Sequence, residues 1–498
     1  MTTPVKIIFL LILSISVVVR INQVDFPLSW GFAWGDGTRD YLVANHIVKY
    51  GEFPLLGPYN LFFDNGIYNS PLYFYILAGA LYFYNHVLTL AVLAILLQLS
   101  TIVLIFAITK HLFGKTAALL AAAFYSFNPQ VLQTGVYVWQ PNLMESVAYL
   151  SLFILITQKK HFRGWVFVLF AVAFTLHNSA FPALPIFLWY TRYYLKGIFF
   201  FAATVTTLYL SVIFFTLTSL SKIDFAKKAV LITSFRDYLN NFLSNANQLL
   251  DAFGLVNQYG LVLALLVVIL LYFFKIRDTQ SRKKLTFLML ALFIAPVVLA
   301  SFFNKIRPHY LILSLGAFSI FISQVITALG YRGRLYFLAS LIVAILFFKA
   351  LTADFAFIKE APTALTNSKM MDNIILKVED ELIRIQNDEG LKNFGFFQVR
   401  SYAFDKTDFF YYPVMDTILL ASLEDRLNQK LTKISDDSPY NHVQIGGKKY
   451  LLVVCYEFVQ KGSAACLEEF TKENAAYQII KPLYNIYPVS IFVAQNRL

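Results

Sequence analysis

Apolar residues fill the first 350 positions in long, nearly uninterrupted stretches, and polar residues gather in short intervals between them. The clearest stretches are Val5–Val19, Leu88–Thr109, Ile198–Leu217, Leu261–Phe274, Leu285–Phe303 and Leu335–Phe348. A helix of about 20 apolar residues crosses the hydrocarbon of a bilayer. In that medium only a helix satisfies every backbone amide of a single segment. The pattern therefore predicts a polytopic α-helical membrane protein with about 11–13 transmembrane helices. The first stretch, with Lys6 ahead of its apolar core, reads as an uncleaved signal anchor. The interval 71–109 raises a parity problem. It reads as two segments, Leu72–Tyr84 and Leu88–Thr109. Either the first is too short to cross fully, or the Lys110–Lys115 turn faces outward.

Two regions break the pattern. In the loop 25–70, Thr38 to Tyr50 has helical periodicity, with Val43, Ala44, Ile47 and Val48 on one face and Asn45, His46 and Lys49 off it. Asp36 or Thr38 is a candidate N-cap and Gly51 a candidate stop. Trp30, Phe32 and Trp34 suit a membrane interface, so this helix is expected to lie on the outer surface. After residue 351 charges alternate with apolar residues. Lys377–Gln386 reads as a helix, and Lys449–Cys455 and Val489–Val493 read as strands. The expected organisation is a transmembrane domain over 1–351 and a C-terminal extracytoplasmic α/β domain over 352–498.

Composition sharpens this reading. Of 498 residues, 58% are hydrophobic and only 14% charged, against about 25% charged in soluble domains. The net charge of +12 is unevenly spread. Residues 1–351 hold 25 Lys and Arg and 10 acids; residues 352–498 hold 16 and 19. A nucleic-acid binder would carry a basic face on its soluble part, whereas here that part is slightly acidic. The basic loops Lys159–Arg163, Lys275–Lys284 and Tyr331–Arg334 belong in the cytoplasm by the positive-inside rule. That places 25–70, 304–309 and everything after 351 outside a plasma membrane. Cys455 and Cys466 both fall in this outer part, where a disulfide and two unpaired cysteines are both open.

Five of the ten acids before residue 352 lie in the loop 25–70. Asp36 sits between Gly35 and Gly37, and Asp40 follows one helical turn later. Chemistry is one reading; capping and the helix dipole are the other. Arg39 can pair with either acid or face lipid phosphates. The outer segment Asn304–Tyr310 brings Lys305, Arg307 and His309 together, which suits an anion or, more simply, lipid head groups. Asn142 with Glu145, and His177 with Asn178, interrupt apolar runs and are candidates to line a cavity. The plainer readings are an interfacial cap and an outer turn. No phosphate-binding glycine loop, HExxH, paired CxxC or serine-hydrolase elbow is present. No metal-ligand motif is evident and no cofactor is called for, with metal dependence left open.

Several short motifs in order along the chain carry a resemblance. These are Asp36-Gly37-Thr38-Arg39, Gly51-Glu52-Phe53-Pro54-Leu55-Leu56-Gly57-Pro58, Asn69-Ser70-Pro71-Leu72-Tyr73-Phe74-Tyr75, Trp139-Gln140-Pro141-Asn142-Leu143, Leu176-His177-Asn178 and Pro308-His309-Tyr310. Together they resemble the GT-C superfamily of membrane glycosyltransferases, on the branch of protein O-mannosyltransferases and the lipid A aminoarabinose transferase. Gly37 stands where that branch's Asp-Glu-x-Arg-type motif has Glu. The resemblance implies an inverting transferase. It would move a sugar from a polyprenyl-phosphate donor to an extracytoplasmic hydroxyl on a protein, glycolipid or polysaccharide, with no cofactor required. Asp36 would be the base, with Asp40 beside it. Arg39, Lys305, Arg307, His309 and Tyr310 would hold the donor phosphate. The alternative is a lipid-linked glycan transporter or flippase with an outer domain, which calls for polar residues spread through the spans.

Overall fold

A computed structural model describes residues 3–21, 36–58, 68–135, 139–157, 163–184, 187, 195–219, 235–251, 292, 298, 312–330, 394–400, 450–456, 468, 476–486 and 489–497. In chain order the helices are α1 (Thr3–Ile21), α2 (Asp36–Tyr50), α3 (Leu72–Phe83), α4 (Val87–Phe113), α5 (Lys115–Ser126), α6 (Pro129–Thr134), α7 (Gln140–Thr157) and α8 (Arg163–Leu176). A 3-10 turn (Asn178–Ala183) follows, then α9 (Leu195–Leu208), α10 (Leu210–Ser219), α11 (Phe235–Asp251) and α12 (Ile312–Gly330). Four strands complete the described elements: β1 (Phe394–Arg400), β2 (Tyr450–Tyr456), β3 (Tyr477–Ile486) and β4 (Val489–Asn496).

Two compact units emerge. One comprises Met1–Val24, Leu55–Ile76 and Leu88–Ala361; the other comprises Asp25–Pro54, Leu77–Val87 and Pro362–Leu498. The first is a helical bundle. Among the described residues, Pro4–Ile21 and Leu88–Phe113 are long and apolar enough to cross a membrane. The 12 residues of α3 rise only about 18 Å, well short of the roughly 30 Å of hydrocarbon. That length favours the reading in which Leu72–Tyr84 does not cross fully. Gly114 alone separates α4 from α5, with φ at +92°, a backbone region that costs a residue with Cβ about 1–2 kcal/mol. The stretch Ile198–Leu217 falls on α9 and α10, which Tyr209 alone separates while its i→i−4 bonds to Val205 and from Ile213 continue the ladder. The expected spans Leu261–Phe274 and Leu335–Phe348 lie outside the described residues, and so does Leu285–Phe303 apart from Leu292 and Val298.

Close backbone approach holds the bundle together. Helix α8 packs on α7 and α9, while α12 packs on α5 and α7 and α1 packs on α5. Gly197 of α9 leaves room for the Phe167 ring of α8, and Gly316 of α12 for the Tyr149 ring of α7; a Cβ at either would fall on that ring. Side chains also bond across helices to backbone carbonyls. Tyr149 Oη donates to Leu313 O at 2.7 Å and Ser151 Oγ to Val166 O at 2.9 Å.

The second unit contains α2 and a four-stranded sheet of order β1-β2-β4-β3. Strands β1 and β2 are parallel, and β4 is antiparallel to both β2 and β3. The two strands expected from sequence are β2 and β4, while the expected helix Lys377–Gln386 lies outside the described residues. Strand β3 carries Pro482 and two register shifts. A proline cannot donate to a ladder, which confines it to edges and bulges. Cys455 faces Ser490 across β2 and β4; Cys466 lies outside the described residues.

Gly316→Ala is expected to lower the unfolding free energy by about 1–3 kcal/mol through overpacking against Tyr149. Gly79→Ala, where nothing lies within 4 Å of the added Cβ, is expected to be neutral or mildly stabilising. Thermal unfolding of the two variants in detergent compares them directly.

Candidate active site

Helix α2 opens with Asp36 and carries Asp40 one turn further on. The amphipathic surface helix expected from sequence is instead covered on all sides over 40–47. Asp40, Asn45 and His46 are fully buried alongside Tyr41, Leu42, Val43, Ala44 and Ile47. The polar face is occupied internally. Asn85 Nδ2 donates to Asn45 Oδ1 at 2.8 Å, and His46 Nδ1 lies 2.9 Å from Glu52 Oε2. The His46 ring meets Tyr50 edge-on at 5.0 Å.

Gly51 makes this possible. Its φ of +67° is a left-handed C-terminal cap of the kind glycine supplies. Its N–H donates to Ile47 O at 3.1 Å, and Glu52 N–H donates to His46 O at 3.4 Å. The reversal carries Glu52 back over the last turn onto His46. A carboxylate on Nδ1 fixes the orientation of the ring. The stop at Gly51 was legible in the sequence; the His46–Glu52 pair was not, because its six-residue spacing exists only once the helix has been capped. The side chains of Asp36 and Arg39 lie outside what the structure describes, as does all of 304–310 with Lys305, Arg307, His309 and Tyr310.

A second polar centre lies inside the helical bundle. Glu145, on α7, is fully buried, and Tyr125 of α5 donates to its Oε2 at 2.5 Å. Gln98 of α4 stands 3.3 Å from the same phenol oxygen. A phenol has one hydrogen, and the short bond to Glu145 takes it, so Gln98 fits with its NH2 toward Tyr125. Asn142 lies one turn before Glu145 on α7 and is buried too. Ser146 Oγ lies 2.8 Å from Thr101 Oγ1. Arg20 of α1 is fully buried. Its guanidinium donates to Ser16 Oγ, to Ser16 O at 3.2 Å and to Ser126 O at 3.5 Å. Gly135 leaves it space: a Cβ there would stand 3.1 Å from Arg20 Nε and 3.3 Å from Gln98 Cγ. Sequence reading singled out Asn142 and Glu145 but missed Arg20, Gln98 and Tyr125. The available signal was Arg20, a charge at the end of the first apolar stretch.

His177 and Asn178 belong to a third grouping, in the connection after α8. His177 Nδ1 accepts from Ser179 N–H at 3.1 Å and lies 2.7 Å from Ser179 Oγ. Burial pushes the imidazole down to about 3, so the ring is neutral, with its hydrogen on Nε2. Tyr209 Oη bonds to Asn178 Oδ1 at 3.3 Å. Helix α7, which carries Asn142 and Glu145, contacts both α8 and the 3-10 turn that begins at Asn178. Among the described residues no group of three or more His, Cys, Asp or Glu is placed to hold a metal ion.

Known structures share this architecture. ArnT from Cupriavidus metallidurans, crystallised bound to undecaprenyl phosphate, superposes with a TM-score of 0.57 at 11% identity over 97% of each chain. Its apo crystal structure gives 0.56, again at 11% identity over 97% of both. The chain thus has the fold of ArnT. Residues 68–221 also match the family model for dolichyl-phosphate-mannose-protein mannosyltransferase. That interval runs from α3 to α10 and takes in every member of the two bundle centres except Ser16 and Arg20. The Archaeoglobus fulgidus oligosaccharyltransferase, in a complex with Zn and sulfate, aligns with a TM-score of 0.48 at 13% identity, over 89% of this chain and 67% of that one. No curated protein sequence matches the chain. The order of motifs that resembled GT-C enzymes thus coincides with a GT-C fold.

Tyr125→Phe removes a donor from a buried carboxylate and is expected to lower the unfolding free energy by about 2 kcal/mol. Adding Glu145→Met, which removes the stranded acceptor, is expected to restore at least half of that loss. Thermal unfolding of wild type, single and double variants reads the difference.

Proposed function

We propose that this chain is an integral membrane glycosyltransferase that uses a polyprenyl-phosphate sugar as donor. The observation that carries the reading is the GT-C fold, matched over 97% of the chain by a protein crystallised with undecaprenyl phosphate. The family-model match over 68–221, whose printed description names a dolichyl-phosphate sugar, points the same way. Such a donor is reached from the bilayer, so the absence of a nucleotide-binding motif from the sequence is no obstacle. In this reading the protein is multi-pass in the plasma membrane, with its active site and C-terminal domain outside.

The chemistry assigns roles to the acidic helix and the basic loop. Asp36, at the head of α2, takes the proton from an acceptor hydroxyl. Asp40, buried one turn on, supports it. The acceptor oxygen attacks the anomeric carbon from the face opposite the lipid phosphate. The carbon–oxygen bond to phosphate breaks, its electron pair leaves with polyprenyl phosphate, and the configuration inverts. Arg39, Lys305, Arg307, His309 and Tyr310 stabilise the phosphate as its charge develops. The hydroxyl belongs to an extracytoplasmic protein, glycolipid or polysaccharide. Gly37, standing in place of an acid, leaves Asp40 as the second carboxylate of this helix.

Asp36→Asn is expected to preserve folding and abolish transfer from radiolabelled polyprenyl-phosphate sugars, with kcat down at least a hundredfold. Normal turnover by that variant would remove Asp36 from the role of base. A flippase would move the lipid across vesicles without releasing its sugar, so chromatography of the labelled products separates the two readings. Arg307→Ala is expected to raise the donor KM about tenfold by losing a charge-assisted contact; an unchanged KM would place the phosphate elsewhere.

A further inference from the structure

Three segments far apart in sequence meet at a polar cluster in the helical unit. Ser70, buried just before α3, donates from Oγ to Leu208 O at 2.7 Å while accepting from Leu72 N–H at 3.3 Å. Leu208 is the last residue of α9, and Tyr209 stands between α9 and α10, with the i→i−4 bonds Tyr209 N–H to Val205 O and Ile213 N–H to Tyr209 O running on through it. Tyr209 Oη in turn bonds to Asn178 at 3.3 Å, and Asn178 adjoins the neutral His177–Ser179 pair. Clustered polar groups within a membrane bundle are kept where they line a cavity or meet a ligand.

The cluster retains unused hydrogen-bonding capacity. Asn178 and Tyr209 are half-buried rather than sealed. Asn178 engages one end of its amide with Tyr209, which leaves the other end for a ligand. The phenol donates its hydrogen and keeps lone pairs to accept. Asn69, beside Ser70, is 3% exposed, and its Oδ1 has no hydrogen-bond partner among the described residues. An amide donor next to a phenolic acceptor complements a pair of vicinal hydroxyls. Asn69, Ser70, Asn178 and Tyr209 carry no charge, so these four offer a charged sugar no counter-charge, and burying one against them is costly. Helix α8 begins at the basic interval 159–163, and His177 lies beyond its other end, which puts the cluster toward the face opposite the cytoplasm.

We infer that Asn178 and Tyr209, backed by Asn69 and Ser70, form a subsite for the hydroxyls of an uncharged sugar on the lipid donor. The inference rests on the proposed transferase reading and deepens it by assigning the sugar class to named residues.

The test is binding to the full-length protein in lipid nanodiscs. The probes are undecaprenyl phosphate alone, undecaprenyl phosphate carrying glucose or mannose, and the same lipid carrying an amino sugar or a hexuronic acid. Wild type is expected to bind one of the uncharged glycosyl lipids more tightly than either charged one. Asn178→Ala and Tyr209→Phe are each expected to weaken that binding about tenfold, the effect of one lost hydrogen bond that strands its partner. Binding of undecaprenyl phosphate itself is expected to stay unchanged, which also confirms that the variants are folded. Equal loss for the bare lipid would make the residues structural and overturn the inference, as would tighter binding of a charged sugar. If wild type binds undecaprenyl phosphate but the variants treat every glycosyl lipid as wild type does, only the subsite falls. If wild type binds no polyprenyl phosphate, the transferase reading falls with it.

Discussion

In hydrocarbon a backbone carbonyl or a charged side chain has no water to turn to, and each must find its partner inside the chain. That constraint organises the helical unit. Arg20 spends its guanidinium on Ser16 and the Ser126 carbonyl. Glu145 receives the Tyr125 hydrogen. Tyr149, Ser151 and Ser70 each reach a carbonyl on another helix. Such bonds fix direction and register in a way that apolar packing alone does not. They join α1, α5, α7, α8, α9 and α12 into one bundle, with the small residues Gly197 and Gly316 setting how closely the helices approach.

The same constraint explains why the polar residues of the bundle are few and clustered. One isolated charge in this medium is costly, and Arg20 and Glu145 each meet polar partners on another helix. Among the described residues, the cluster around Asn178 and Tyr209 carries no charged group: burial keeps the His177 ring neutral. The GT-C fold houses Glu145 and this cluster within the interval that matches the mannosyltransferase family model.

Much of the architecture was legible in the chain because hydrocarbon imposes a length and a composition on anything that crosses it. Val5–Val19 and Leu88–Thr109 correspond to α1 and α4, and the glycine stop at Gly51 ends α2. Strands β2 and β4 were visible as short apolar runs, while β1 and β3 were not. Strand β3 contains Lys481 and Pro482, which dilute its pattern. The bond to the Leu208 carbonyl was hidden because its donor, Ser70, lies 138 residues away. The burial of α2 was hidden for a related reason. Periodicity reports which residues could face water, not whether a neighbour covers them; Asn45 and His46 look solvent-facing until Asn85 and Glu52 are seen against them. The candidate site followed the same rule. Asn142 and Glu145 stood out as polar residues in an apolar run, but Tyr125 and Gln98 acquire meaning only from the distances to them.

Strand β3 lies at the end of its sheet among the described strands, opposite β1, and bears Pro482 and two register shifts. An unbroken edge offers a row of free amides and carbonyls to the next copy of the same protein. A missing N–H and two shifts of register spoil that template along β3. Proteins confined to a membrane meet one another at high local density, where edge-to-edge pairing is a standing hazard. A proline on an end strand, with a register shift on either side of it, makes β3 a poor template for such pairing.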